Sequence, residues 1–269
     1  MRVLIPLPDR DFDITEVAVP WRLLTDAGHR VTFATERAGT RPAGDPKLLT
    51  GVLFRRLGAA EEPRRYYDEL IQSAEFAETV SWGELNPDAF DGLILPGGHA
   101  PGMRQYLGSA VLQQQVGAFW ALDRPVGAIC HGVLVAARTR TASGAPCAAA
   151  QAEAGDAVGD RSVLAGRRTT CLPKYMERSA YLATAWRLGR YYRTYPAYVE
   201  DEVRAALDEP DGRFVRGPRT LTARGTAADD TPAFVVQDGN YLSARWPGDA
   251  YLFSRRFLEL LETYAGSRG

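Results

Sequence analysis

Cys130 and His131 stand side by side where an apolar run, Val126-Gly127-Ala128-Ile129, gives way to a helix-compatible run, Gly132-Val133-Leu134-Val135-Ala136-Ala137. A cysteine in that position sits on a sharp strand-to-helix turn, which lifts its side chain off the strand end and aims a helix N-terminus at it. The unpaired N–H groups of such a helix favour thiolate over thiol, so the expected nucleophile has a lowered pKa. The other reading is a small buried residue closing a core strand, the common role of a lone cysteine. Leu95-Pro96-Gly97-Gly98-His99 also follows an apolar run. Its two glycines either bring bare N–H groups, with that of His131, to a developing oxyanion, or simply end a strand in a turn. Glu16 lies near the start of the first expected helix, at the C-terminal end of the first expected strand, where parallel sheets gather their ligands. It is either an acid/base group or a helix-start carboxylate that complements the dipole. His131 offers mainly its backbone N–H, because consecutive helix residues do not face each other. No histidine follows His131, so a late Cys–His pairing is excluded.

These residues need a sheet to hold them. Val3–Leu7 reads as a buried strand, Glu16 to Ala27 as a helix ended by Gly28, and Arg30–Thr35 as a second strand. Strand, helix, strand is a βαβ unit and argues for a parallel sheet. Residues 39–63 are punctuated by Pro and Gly and resist assignment. Apolar spacing then predicts a helix over 66–80, a third core strand at Asp91–Pro96, a helix over 109–121 and the Cys130 strand. Residues 139–160 shift to Ala, Gly, Ser and Asp without an aromatic residue and read as a flexible segment. A short strand at Arg167–Pro173 precedes an aromatic-rich helical stretch, 175–208, interrupted near Pro196. That stretch is either a lid over Cys130 or a helical pair packed on the sheet. Strands at 220–223, 234–236 and 241–244 and a final helix to about Tyr264 close the chain.

The composition narrows the function. With 269 residues and a net charge of -1, the chain has room for one large α/β domain and no electrostatic reason to bind nucleic acid or an anionic membrane. Its cations are almost all Arg, with Lys only at Lys47 and Lys174, a habit of GC-rich, bacterial genomes. No secretory leader is expected, since Met1-Arg2 leads straight into a strand, and no apolar run approaches membrane-spanning length. Cys130, Cys147 and Cys171 show no paired spacing, so a reducing, cytoplasmic setting is expected. His29, His99 and His131 show no ligand spacing, and no metal is expected.

Glu16 within Glu-Val-Ala-Val-Pro-Trp-Arg-Leu-Leu, Leu-Pro-Gly-Gly-His at 95–99 and Ala-Ile-Cys-His-Gly at 128–132, in this order, resemble the ThiJ/PfpI superfamily. The resemblance covers about Val3 to Ala137 well, and more loosely the last strand and helix. It implies a single domain with the class I glutamine amidotransferase-like, flavodoxin-related α/β fold: a mostly parallel central sheet, helices on both faces and a helical insertion. It also implies catalytic roles for Cys130, Glu16 and His131, with Gly97, Gly98, His99 and Glu177 around the oxyanion and substrate. Two departures stand out. Where one branch carries the acid of a Cys-His-acid triad, Leu172-Pro173 is followed here by Lys174, with Glu177 the nearest carboxylate. The late His-x-Glu that glutamine amidotransfer needs in this fold is missing.

The expected activity is a cofactor-independent cysteine lyase or hydrolase acting on a small electrophile, with glyoxalase-type conversion of 2-oxoaldehydes foremost and hydration or hydrolysis next. A redox-sensing or chaperone-type stress protein with an oxidisable Cys130 is the alternative, and a cysteine peptidase or amidase the third. The expected partner is a small-molecule substrate, and the resemblance allows a homodimer.

Overall fold

The computed structural model describes residues 1–52, 58–141, 161–193 and 195–267. Its strands are β1 (Arg2–Pro6), β2 (Arg10–Phe12), β3 (Arg30–Thr35), β4 (Ala43–Gly44), β5 (Val80–Ser81), β6 (Gly92–Leu95), β7 (Val126–Ile129), β8 (Val235–Asp238) and β9 (Tyr241–Ala244). The first six helices are α1 (Ile14–Asp26), α2 (Pro46–Thr50), α3 (Glu61–Leu70), α4 (Ala74–Ala77), α5 (Met103–Leu107) and α6 (Ala110–Trp120). They are followed by α7 (Gly132–Arg138), α8 (Lys174–Leu188), α9 (Val199–Ala205), α10 (Pro210–Arg213) and α11 (Ala250–Gly266).

Seven strands form one sheet in the order β5-β3-β1-β6-β7-β9-β8, parallel except for the β8–β9 pair. Strands β6 and β7 are buried along their whole length. A strand whose alternate side chains are all buried is covered on both faces, which is why these segments read as unbroken apolar runs. Helix α11 covers one face, where Gly92 and Gly127 leave the space that Phe257 and Phe253 fill. From β1 the chain moves outward to β3, then returns to place β6 on the other side of β1. The order reverses between β1 and β6, the place where open α/β sheets bind ligands beyond their carboxyl ends. Glu16 follows β1, and Gly97 to His99 follow β6.

The expected first strand, first helix and second strand are all present. Asp13 caps α1 by accepting N–H bonds from Thr15 at 2.8 Å and Glu16 at 3.3 Å, and Gly28 ends it at φ 79°. Other expectations are corrected. The helix expected over 66–80 is two, α3 and α4, because the chain turns at 71–73 while the apolar period continues across the turn. Arg167–Pro173 makes only an isolated bridge, Thr169 with Phe214, and 220–223 is irregular. Most of the segment read as flexible, 142–160, lies outside the described residues, as does Cys147.

Candidate active site

The turn after β7 puts Cys130 at φ 57°, a left-handed conformation that costs a non-glycine residue about 1–2 kcal/mol. Its N–H donates to the Ala244 carbonyl of β9 at 3.0 Å, so the neighbouring strand holds the strained residue in place. Helix α7 then starts hard against the end of β6. A Cβ on Gly132 would stand 2.0 Å from the Leu95 carbonyl oxygen, so only glycine allows that approach. A Cβ on Gly97 would stand 2.6 Å from the His131 nitrogen and 3.0 Å from Glu16 Oε2. The strand-end glycine turn and the cysteine turn are thus in backbone contact.

Glu16 completes this floor. Gly97 donates its N–H to Glu16 Oε2 at 2.7 Å, and Asp13 donates its N–H to the Gly97 carbonyl at 2.9 Å. The other oxygen, Oε1, is buried and has no hydrogen-bond partner among the described residues, and the Glu16 carboxyl acts on the Cys130 thiol. Gly97 therefore spends its N–H on positioning Glu16, which corrects its expected place among the oxyanion donors. The Gly98 N–H has no acceptor among the described residues, and the His131 N–H is directed at the Cys130 sulfur.

Burial pushes the Glu16 carboxyl well above the usual carboxylate range, and the neighbouring charge of Asp13 adds to it. Asp13 itself is pushed up to about 6, mainly by burial. The same burial, followed by the charges of Glu16 and Asp13, pushes the Cys130 thiol up. That direction corrects the lowered thiol pKa expected from the helix N-terminus. Helix α7 is one seven-residue element, and the His131 N–H acting at the sulfur is outweighed by a fully buried setting with two acidic neighbours.

His131 is buried, with its Nδ1 3.5 Å from Cys130 Sγ. Its ring meets that of His99 edge to face at 4.7 Å. Burial lowers both imidazoles, that of His99 to about 4, and the neighbouring His99 and Arg138 further disfavour charge on His131. Among the described residues no carboxylate is hydrogen-bonded to His131, so a triad acid is missing here. Glu177 does not fill that role. It accepts the Val199 N–H at 3.0 Å and so anchors the start of α9, with burial pushing its carboxyl up to about 7.

Tyr192, in the turn after α8, lies over this floor with its ring 5.6 Å from that of His99. Its hydroxyl is buried and has no partner among the described residues. Tyr191 donates to Asp45 at 2.5 Å and carries the Lys47 ammonium 3.9 Å from its ring. Arg138 holds the following segment through paired bonds to Glu202 at 2.5 and 2.9 Å and a stack on Tyr195 at 4.6 Å. On the β9 side, Arg224 lies 5.1 Å from the Trp246 ring, and its charge acts on Asp13. Asp13, Tyr192 and Arg224 were not among the expected site residues. Of these only Asp13 carries a local signal, an Asp at an expected helix start.

A model described as ThiJ/PfpI family-like matches residues 7–218. The chain belongs to that family. It is 26% identical over 264 residues to a protein named deglycase from Pyrococcus abyssi, spanning 97% of this chain and 100% of that one. It is 24% identical to the deglycase PfpI of Pyrococcus furiosus over the same shares. Among solved structures, that of glyoxalase III from Candida albicans superposes with a TM-score of 0.65 at 16% identity, covering 97% of both chains, a likeness of fold. The relatives' names suggest that the family's activity is enzymatic. No helix among the described residues is long and apolar enough to cross a membrane.

Proposed function

We propose that this protein is a cofactor-independent cysteine enzyme that converts small 2-oxoaldehydes to 2-hydroxy acids. The observation that carries the reading is the Glu16 carboxyl: it is fully buried, its Oε1 has no hydrogen-bond partner among the described residues, and its charge acts on the Cys130 thiol. A buried polar atom left without a partner costs stability and marks a site shaped for something else. Relatives named deglycase and a structural neighbour named glyoxalase III support chemistry on small carbonyl compounds.

Cys130 adds through sulfur to the aldehyde carbon while the thiol proton passes to the carbonyl oxygen, giving a hemithioacetal. The Gly98 and His131 N–H groups hold the charge that develops on that oxygen. Glu16 then takes the proton from the former aldehyde carbon and returns it to the adjacent carbon, while the hydroxyl proton passes from the first oxygen to the second through the enediol, so the hemithioacetal becomes the thioester of a 2-hydroxy acid. Water cleaves the thioester, releasing the hydroxy acid and restoring the thiol. The net change is addition of one water, with no external oxidant or reductant. A carboxyl held above its usual range is suited to both halves of this proton shuttle.

The oxidation-sensor reading has less support, since susceptibility follows exposure and thiolate character, and Cys130 is fully buried with its pKa raised. The test is hydroxy-acid production from methylglyoxal without added glutathione. Turnover by the wild-type protein that disappears in Cys130→Ala is the expected result. Equal rates in both proteins would remove Cys130 from the reaction.

A further inference from the structure

His99 and His131 are 32 positions apart in the chain, yet the fold brings them together with Cys130. One ligand atom from each of the three lies within 4.8 Å of those of the other two. The geometry suits a small tetrahedral ion. Zinc bonds of about 2.3 Å to sulfur and about 2.0–2.1 Å to nitrogen give a sulfur–nitrogen edge of roughly 3.6 Å in a tetrahedron. Cys130 Sγ and His131 Nδ1 are 3.5 Å apart. The two rings meet edge to face, at 72°, so they are not stacked face against face in a way that would turn both nitrogen edges from a shared centre. One sulfur and two imidazole nitrogens select a borderline-soft divalent cation such as Zn²⁺ over Mg²⁺ or Ca²⁺, which take oxygen ligands.

We propose that Cys130, His99 and His131 form a three-ligand site for Zn²⁺, and that its occupancy reversibly caps the nucleophile. Binding is a proton exchange: the Cys130 S–H bond breaks, the zinc–sulfur bond forms, and the proton leaves to solvent, so affinity falls as pH falls. The fourth position is left for water or for an oxygen of the neighbouring Glu16. His99 is the partly exposed member, while Cys130 and His131 are buried, so the ion arrives past His99 and Tyr192. The capping half of the proposal rests on the cysteine-enzyme reading above; the binding half does not.

The test uses the full chain, freed of metal with a chelator and titrated with Co²⁺ alone at neutral pH. The expected result is one equivalent bound, with a sulfur-to-cobalt charge-transfer band and the intense visible bands of a tetrahedral site, both lost on adding Zn²⁺. Cys130→Ser abolishes the charge-transfer band, and His99→Ala weakens binding by about tenfold or more. Because either variant can misfold, alkylation of the wild-type thiols with iodoacetamide after brief denaturant pulses is mapped in parallel. One equivalent of Zn²⁺ protects Cys130 and not Cys171, and chelator reverses the protection. Absence of cobalt bands in the wild-type protein, or bands unchanged in His99→Ala, overturns the site. Cobalt bands in a protein that does not turn over methylglyoxal leave the site standing and sink the enzymatic reading. Turnover that one equivalent of Zn²⁺ does not suppress, with the bands present, overturns the capping.

Discussion

The floor and the roof of the site are built by different means. The floor (Glu16, Gly97, Cys130 and the start of α7) is joined by backbone groups: Gly97 N–H to Glu16, Asp13 N–H to Gly97, Cys130 N–H to Ala244. Its close approaches admit only glycine at 97 and 132. The roof, from α8 to α9, is held by side chains: Tyr191 on Asp45, Arg138 on Glu202, Lys174 on Asp201 and Glu177 on the Val199 N–H. Backbone contacts cannot be retuned without moving strands, whereas side-chain contacts can be exchanged singly. On the proposed function, the difference puts the chemistry in the floor and the choice of substrate in the roof.

Substitutions in the two regions should then separate in kind and in size. Glu16→Gln keeps the shape and the acceptor for Gly97 N–H but cannot shuttle a proton, so kcat should fall by about 10²–10⁴-fold with little change in thermal midpoint. Steady-state kinetics beside calorimetry checks this, and full activity in the variant would remove Glu16 from the mechanism. Gly97→Ala forces a Cβ against the His131 nitrogen and should cost about 1–3 kcal/mol of stability, read by urea denaturation, with loss of activity in the fraction still folded. A Gly97→Ala protein as stable and active as wild type would show that the floor is not interlocked.

The roof gives a pH-dependent effect instead. The folded pKa of Glu177, about 7, lies above the ordinary carboxylate value. Between roughly pH 4.5 and 7 the unfolded chain loses this proton before the folded one does, so this group's contribution to stability declines as pH rises through that window. Glu177→Gln still accepts from Val199 and should be more stable than wild type by about 1–3 kcal/mol at pH 8, and about equal at pH 4.5. Denaturation curves at the two pH values decide it; a constant difference would refute the assignment. The lowered histidines work the opposite way, His99 favouring the folded state as pH rises from about 4 to 6.5 and His131 acting in the same direction, which is why the variant difference is the quantity to compare. Smallest of all, Tyr191→Phe removes one bond to Asp45 and should cost about 0.5–1.5 kcal/mol. It should speed alkylation of Cys130 if the roof opens to admit reagents, and an unchanged rate would mean that Tyr191 does not hold it.

The same contrast explains what could be read from the chain alone. Strands β6 and β7 were legible because fully buried parallel strands are unbroken apolar runs, and α1 because Gly28 ends it. That Cys130, Glu16 and Gly98 gather beyond the strand ends was legible from the apolar runs that precede them. The turn at 71–73 was hidden by an apolar period that runs through it. The meeting of His99 with His131, and of Tyr192 with His99, depends on β6 lying beside β7 and on the path of the roof, which no local pattern encodes. The direction of the Cys130 pKa also depends on burial by residues distant in sequence, so a motif that promised a helix dipole pointed the wrong way.

The backbone at Cys130 sets a further condition on the protein's history. Glycine would occupy that left-handed position without strain, and any other residue is kept there against a local preference of about 1–2 kcal/mol. A library sorted only for resistance to heat should therefore drift away from cysteine at 130, while one sorted for turnover should hold it. Stability and activity draw on the same φ angle in opposite directions.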